Sequence, residues 1–304
     1  PIHVAEGMQE ETNLGDTGSE AIDPTFADPI GGDGDVAMDQ DDSSMMHVLR
    51  HIGVDEKVAA LFVASVADPS STFMEVFGRG GIVAEAHRQR RSLNVTGLDA
   101  FDIRTTKPDG GNWDFNKRDD RKLARHMIRE QRPKWIIGSP PCTAYSAWNE
   151  KMNYPKMDAE KVARLKAEGK RHLQFVISLY RRQLELGLHF LHEHPASAGS
   201  WKEPSMQALA RNPCVHVAEI DQCAYGLVTP SVIDGSPMPA KKPTRFLTSS
   251  HSMVLQLSRK CPGDHMHQHL VGGRCAEAAF YPLPLVRAIL RGIRDTAIVE
   301  TKAV

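Results

Sequence analysis

From residue 72 onward, short apolar runs alternate with longer stretches that are apolar on one face only. Residues 72–77 and 94–98 read as strands, joined by a tight Gly78-Arg79-Gly80-Gly81 loop and a helix over 82–91. Residues 119–131 form a basic helix with Leu123, Ala124, Met127 and Ile128 at helical spacing. A strand over 134–138 follows, then a long amphipathic helical stretch over 158–188 with an expected break at Gly169. Residues 189–193, 215–220 and 245–248 read as strands, and 204–211 and 282–294 as helices. This alternation predicts an α/β fold: a mostly parallel sheet with helices on both faces. Residues 46–70 read as a helical lead-in carrying no chemistry.

Composition changes the picture at one end. Residues 1–45 hold twelve Asp and Glu, no Lys or Arg, and few large apolar residues. They read as a disordered acidic arm. The remaining chain sets all 37 basic residues against 26 of the 38 acidic ones, a net of +11. A basic body with an acidic arm fits a polyanionic partner, although basic residues also simply solvate helix faces. The five cysteines are odd in number and do not suggest a disulfide framework, which points to a reducing, intracellular setting with the nucleus among the options. No apolar run is long enough to span a bilayer, so no membrane partner is expected. The first residue is Pro1 rather than Met, and the chain reads as a piece of a longer product.

The chemistry concentrates at expected strand ends. Trp135-Ile136-Ile137 runs into Gly138-Ser139-Pro140-Pro141-Cys142, where the Pro-Pro pair stiffens the chain beyond the strand. In an open α/β sheet ligands bind at that edge. A thiol there can be a nucleophile if its thiolate is stabilised, and otherwise is a small buried hydrophobe. The next strand ends in Glu193, within His192-Glu193-His194-Pro195. A carboxylic acid beside a ring nitrogen can protonate it and ease thiolate addition; its alternative is a partner for Arg181 or Arg182. The glycines after the first strand, with Asp99 about twenty residues on, suit ribose recognition. Lys241-Lys242-Pro243-Thr244-Arg245 offers cations for phosphate or a base carbonyl.

Together and in this order these motifs resemble the DNA cytosine-5 methyltransferase family, over about residues 72–295. Pro140-Pro141-Cys142-x-x-x-Ser146 resembles its nucleophile loop, Glu193 its catalytic acid, and 241–245 its basic segment in a Lys-Pro-Thr form. A weaker similarity is to methyltransferase-like domains inside retroelement polyproteins. The resemblance implies a Rossmann-like S-adenosylmethionine-dependent methyltransferase fold, with a catalytic core over 71–250 and a reduced target-recognition segment plus C-terminal helix over 251–304. It implies S-adenosylmethionine as cofactor, over Phe77, Gly78, Gly80, Gly81, Asp99, Asp114 and Pro140. It implies a cytosine flipped from DNA, attacked by Cys142, held by Glu193 and contacted at its carbonyl by Arg245. Lys242 would then meet a phosphate, and Ser146 and Trp148 the nucleic acid. RNA is the alternative substrate, and a catalytically silent nucleic-acid-binding domain the alternative function. The chain departs from the family at His194, at Ala240, in a first glycine loop one residue short, and in having Tyr281-Pro282-Leu283-Pro284 where a Gly-Asn motif is expected.

Cys261, His265, His267 and Cys275 are residue types suited to zinc. Their spacing matches no standard finger, so the sequence alone assigns no metal.

Overall fold

The structure, a computed structural model, describes residues 47–48, 50–55, 71–270 and 277–302. The expected acidic arm, most of the 46–70 lead-in and Cys275 lie outside the described residues. The chain divides into two compact units, 1–54 and 55–304. In the first, the described residues include a helical turn in which Ile52 N–H donates to the Val48 carbonyl at 3.1 Å.

The second unit is built on a six-stranded sheet. Its strands are β1 (Ser71–Val76), β2 (Val95–Phe101), β3 (Trp135–Gly138), β4 (His189–Pro195), β5 (His216–Asp221) and β8 (Pro243–Thr248). A two-stranded ribbon holds β6 (Val228–Pro230) and β7 (Pro237–Pro239). The order across the main sheet is β2-β1-β3-β4-β8-β5. β2, β1, β3 and β4 are mutually parallel, and β8 runs antiparallel to β4 and β5. The α/β class and the mostly parallel sheet are therefore as the apolar pattern predicts. The inserted antiparallel strand is not visible in that pattern, because strand direction leaves no mark on periodicity.

The helices are α1 (Gly81–Arg88), α2 (Arg90–Leu93), α3 (Arg118–Gln131), α4 (Ala159–Glu185), α5 (Pro204–Ala210), α6 (His251–Gln256) and α7 (Leu283–Lys302). One sheet face carries Phe73, Val95, Trp135, Ile137, Leu191 and Phe246 against apolar residues of α1, α6 and α7. The other carries Met74, Val76, Ile136, Phe190 and Leu247 against α3, α4 and α5. Each large side chain so enclosed contributes about 1.5–3 kcal/mol relative to exposure. This two-faced burial explains why Trp135-Ile136-Ile137 is continuously apolar rather than alternating. α1 is tied to α7 by the buried Glu85, which meets Arg287 at 2.8 Å and Arg88 at 2.7 Å.

Local signals set the helix ends. Asp158 caps α4 by accepting from the Lys161 N–H at 2.8 Å. Arg132 ends α3 in the left-handed conformation, φ 46°. The break expected at Gly169 does not occur, since α4 is one helix of 27 residues. Gly169 is there for packing: a Cβ on it would lie 2.3 Å from the Ala144 Cβ. The helix accepts a glycine, at about 1 kcal/mol of propensity, so that the loop after β3 can sit against it.

Candidate active site

Side chains alternate across a strand, so Phe73, Ile137 and Leu191 place Glu75, Ser139 and Glu193 on one face, at the carboxyl ends of three adjacent strands. The Tyr281 hydroxyl joins them from just before α7. It lies 2.8 Å from Ser139 Oγ and also hydrogen-bonds the Glu193 side chain. Burial, then the Glu193 charge, pushes the Tyr281 hydroxyl well above its ordinary range. Glu193 is 7 % exposed, and its Oε1 is buried without a hydrogen-bond partner. The nearest cation is Lys242, with Nζ 4.0 Å from that oxygen and 3.1 Å from the Ala278 carbonyl, to which it donates.

The loop bearing Cys142 is anchored on both sides of this cluster. The Ser139 N–H donates to the Val76 carbonyl at 3.1 Å, joining the loop to the end of β1. On the opposite face, the Pro140 carbonyl accepts from His194 Nε2 at 2.8 Å, while Ser200 Oγ lies 2.6 Å from His194 Nδ1. Burial holds His194 below its usual range, the neutral form that has one donor and one acceptor nitrogen. His192, fully buried beside Tyr180, is pushed further down by burial. Cys142 itself is partly buried and opens the single 3-10 turn Thr143–Tyr145. None of the four described cysteines is in a disulfide. The Thr143 carbonyl accepts from Tyr154 Oη and Asn149 Nδ2, both at 3.0 Å, which fixes the turn. Ser146 Oγ accepts from the Asn149 N–H at 3.3 Å, and Trp148 is 59 % exposed just beyond.

The expected cofactor residues divide. Gly78 is needed because a Cβ there would fall 2.3 Å from Glu75 Oε2, and Gly80 precedes α1 at φ 77°. Gly81 is the first, exposed residue of α1. Phe77 also takes a left-handed φ of 60°, but its ring is core, 4.7 Å from Phe115. It shapes the loop rather than lining it. Asp99 lies on β2 with Oδ1 on the Ala100 N–H at 2.7 Å. Asp114 belongs to a turn before α3, accepting from Asn116 N–H at 3.0 Å.

Two placements differ from expectation. Arg245 pairs across the β4–β8 register with His194, not Glu193, and so occupies the opposite face. There it meets Glu219 at 2.7 Å and lies over the Trp201 ring at 5.1 Å. The cation beside Glu193 is instead Lys242. Glu75, which the strand pattern hides, is the second difference. It is 4 % exposed, and its Oε1 accepts from Ile82 N–H at 3.0 Å and Val83 N–H at 2.9 Å. Burial outweighs those amides and pushes its pKa up to about 7. The nearby Asp102 is likewise raised by burial. The first-turn amides of α1 are thus used by the chain's own acid.

A cleft of about 520 Å³ lies beside the loop that bears Cys142. Its wall includes Ala144, Tyr145, Lys151, Lys166, Lys170 and Lys202, and neither Cys142 nor Glu193. Glu150 and Glu203 also line it, and Glu150 pairs with Lys166 at 2.8 Å, so the four lysines leave the opening with a modest positive excess. Among the described residues no helix is long and apolar enough to cross a membrane.

Comparison with protein-family models and with curated proteins returns no match to this chain.

Proposed function

We propose that this chain is a cytosine-5 methyltransferase acting on DNA, with a Rossmann-like S-adenosylmethionine-dependent methyltransferase fold and a reduced target-recognition region. One observation carries the reading: the loop bearing Cys142 is pinned to the end of β4, where Glu193 keeps a buried carboxylate oxygen without a donor. Such an oxygen costs about 1–3 kcal/mol when unsatisfied. A cytosine edge, with a protonated ring nitrogen and an exocyclic amine, supplies the missing donors. Between β1 and β3 the strand order reverses, and ligands of open α/β sheets bind there.

In this mechanism the Cys142 thiolate adds to carbon 6 of a flipped cytosine. Glu193 holds the proton at ring nitrogen 3, so the electron pair collects on carbon 5. When bound, S-adenosylmethionine would supply an electrophilic methyl group, which bonds to carbon 5 as S-adenosylhomocysteine departs. Loss of the carbon 5 proton then breaks the carbon–sulfur bond and returns the thiolate. Gly80 and Gly81 leave backbone room for the cofactor beside the end of β1, the bare side of Gly78 being taken by Glu75, and Asp99 has a second carboxylate oxygen for its ribose. Lys242 balances the Glu193 charge and faces the base carbonyl, in place of Arg245, which braces β8 against β5. Ser146, Trp148 and the lysine cleft meet the nucleic acid. RNA is the other substrate class of this chemistry.

The test is a duplex carrying 5-fluorocytosine, offered with S-adenosylmethionine. A covalent adduct at Cys142 is expected, absent in Cys142→Ser and formed about 10²–10⁴-fold more slowly in Glu193→Gln. A second reading, a silent nucleic-acid-binding domain, draws on the Tyr281 hydroxyl standing between Ser139 and Glu193. Salt-dependent duplex binding with no adduct and no cofactor binding would replace the enzyme by that reading. The same assay on tRNA separates the two nucleic acids.

A further inference from the structure

The segment after α6 has no helix or strand from 258 to 270, yet it folds back onto the end of β5. It brings three side chains to a fourth from a different part of the chain. Cys223, in the 3-10 turn Gln222–Tyr225 after β5, gathers with Cys261, His265 and His267, all four ligand atoms lying within 4.8 Å of one another. The sequence had grouped the last three with Cys275. That residue lies outside the described ones, and the structure brings Cys223 to them instead.

We propose that these four residues form a structural zinc site, Cys223-Cys261-His265-His267. Two of the six ligand-to-ligand distances already match a tetrahedron around zinc. Zinc bonds of 2.3 Å to sulfur and 2.0–2.1 Å to nitrogen set a sulfur-to-nitrogen edge of about 3.6 Å. Cys261 Sγ lies 3.6 Å from His265 Nε2 and 3.3 Å from His267 Nε2. The outer contacts are those that orient ligands. His265 Nδ1 donates to Asp264 Oδ1 at 2.8 Å, which turns the Nε2 lone pair toward Cys261. The Cys261 N–H donates to Asp221 Oδ2 at 3.0 Å, and the Asp221 N–H donates to the Arg259 carbonyl at 3.3 Å. Two thiolates and two neutral imidazoles around a divalent ion sum to zero charge, so the partly buried centre carries no net charge to desolvate. Loading expels two thiol protons to solvent, which makes affinity fall as pH falls.

The local architecture needs such a staple. Beyond the main sheet the described residues of this lobe form two three-residue strands, which are marginal alone. Among the described residues its apolar cluster is Leu227, Ala240 and Ala278 with Leu270 packed against it. A core that small does not hold thirteen irregular residues in place, and a metal commonly supplies what is lacking. Gln268 completes the closure. Its N–H donates to the Pro239 carbonyl at 2.8 Å, and its Oε1 accepts from the Val232 N–H at 3.0 Å. Lys242 follows directly from this lobe, so the ion would fix the segment that delivers the cation beside Glu193.

The experiment reads metal, not methyl transfer, and so succeeds or fails independently of the proposed activity. The full chain is purified without chelator, and zinc is counted by elemental mass spectrometry. About one zinc per chain is expected, lost in Cys223→Ser and Cys261→Ser and retained in Cys214→Ser, which alters an exposed cysteine. Because the serine variants can simply fail to fold, the wild-type chain is also stripped and reloaded with Co²⁺. Tetrahedral d–d bands with thiolate charge transfer are expected. A chain without zinc and without that cobalt spectrum overturns the site. So does a Cys223–Cys261 disulfide found by mass spectrometry, or metal lost in Cys275→Ser but kept in Cys223→Ser.

Discussion

Ser139 Oγ and the Tyr281 hydroxyl lie 2.8 Å apart although 142 positions separate them in the chain. The contact joins the start of the Cys142 loop to the entry of α7. Because Tyr281 also hydrogen-bonds Glu193, one phenol positions both the loop and the acid. Tyr281→Phe keeps the ring and removes both bonds. A net hydrogen bond contributes about 0.5–1.5 kcal/mol, so unfolding free energy should fall by about 1–2 kcal/mol in urea. Adduct formation with 5-fluorocytosine should slow by more than that stability loss explains. An unchanged trapping rate would show that Tyr281 supports only the fold.

A buried glycine gives a sharper test of the sheet edge. A Cβ on Gly138 would stand 1.9 Å from Tyr180 Oη and 3.0 Å from Cζ. Gly138→Ala therefore forces Tyr180 out of its place against Phe190, with a cost of about 3 kcal/mol, at the upper end of overpacking effects. Tyr180→Phe removes the clashing oxygen but also the 3.2 Å partner of His192 Nδ1. The double variant should be more stable than the sum of the two single losses by at least 1 kcal/mol. Strict additivity in the melting data would mean that the two residues do not share this space.

The main strands were legible because two-faced burial writes continuous apolar runs, as in Trp135-Ile136-Ile137. The Pro-Pro-Cys loop was legible because proline and cysteine are rare and their order is local. Glu75 was not, since one acid inside the apolar run 73–77 reads as a solvent-facing position on an alternating strand. A clue was present, in that glycines follow it and a helix N-terminus needs an acceptor. Tyr281 left no local trace at all, its role arising only when α7 returns to the sheet. Cys223 was passed over for a similar reason. It lies 38 positions before Cys261, whereas Cys275 is near in sequence, and only the folded chain makes it a neighbour. That Arg245 lies on the face opposite Glu193 is not legible either, because a motif gives order along a strand but not the register of that strand against β4.

The contact between Gly169 and Ala144 links α4 to the Cys142 loop without involving any polar group. A methyl group at position 169 would meet the Ala144 Cβ at 2.3 Å and push the 143–145 turn away from the helix. Gly169→Ala also gains about 1 kcal/mol of helix propensity, so global stability should change little. The trapping rate should nevertheless drop, about tenfold or more, because small displacements of a reacting group are costly. Ala144→Gly in the same chain makes room again and should restore most of the rate. Loss of rate with no rescue would place the fault in α4 rather than in the loop.

The pH dependence of stability isolates Glu75. Its folded pKa of about 7 stands above the unfolded value of 4.5, so between those values the folded chain keeps a proton that the unfolded chain releases. Its contribution is therefore full below about pH 4.5 and is lost as pH rises through 7. Asp102, also raised by burial, acts in the same sense. His192 and His194 act in the other: burial lowers both, so their contribution is present above pH 6.5 and is lost on acidification. The slopes oppose each other below pH 6.5, and the wild-type curve alone would be shallow there. Glu75→Gln keeps an oxygen for the Ile82 and Val83 amides while removing the charge. Relative to wild type it should gain stability steadily from pH 4.5 to 8, by up to about 3 kcal/mol. Urea midpoints at pH 4.5, 6 and 8 measure this, and a difference that stays constant across the three would mean that Glu75 does not titrate in the folded chain.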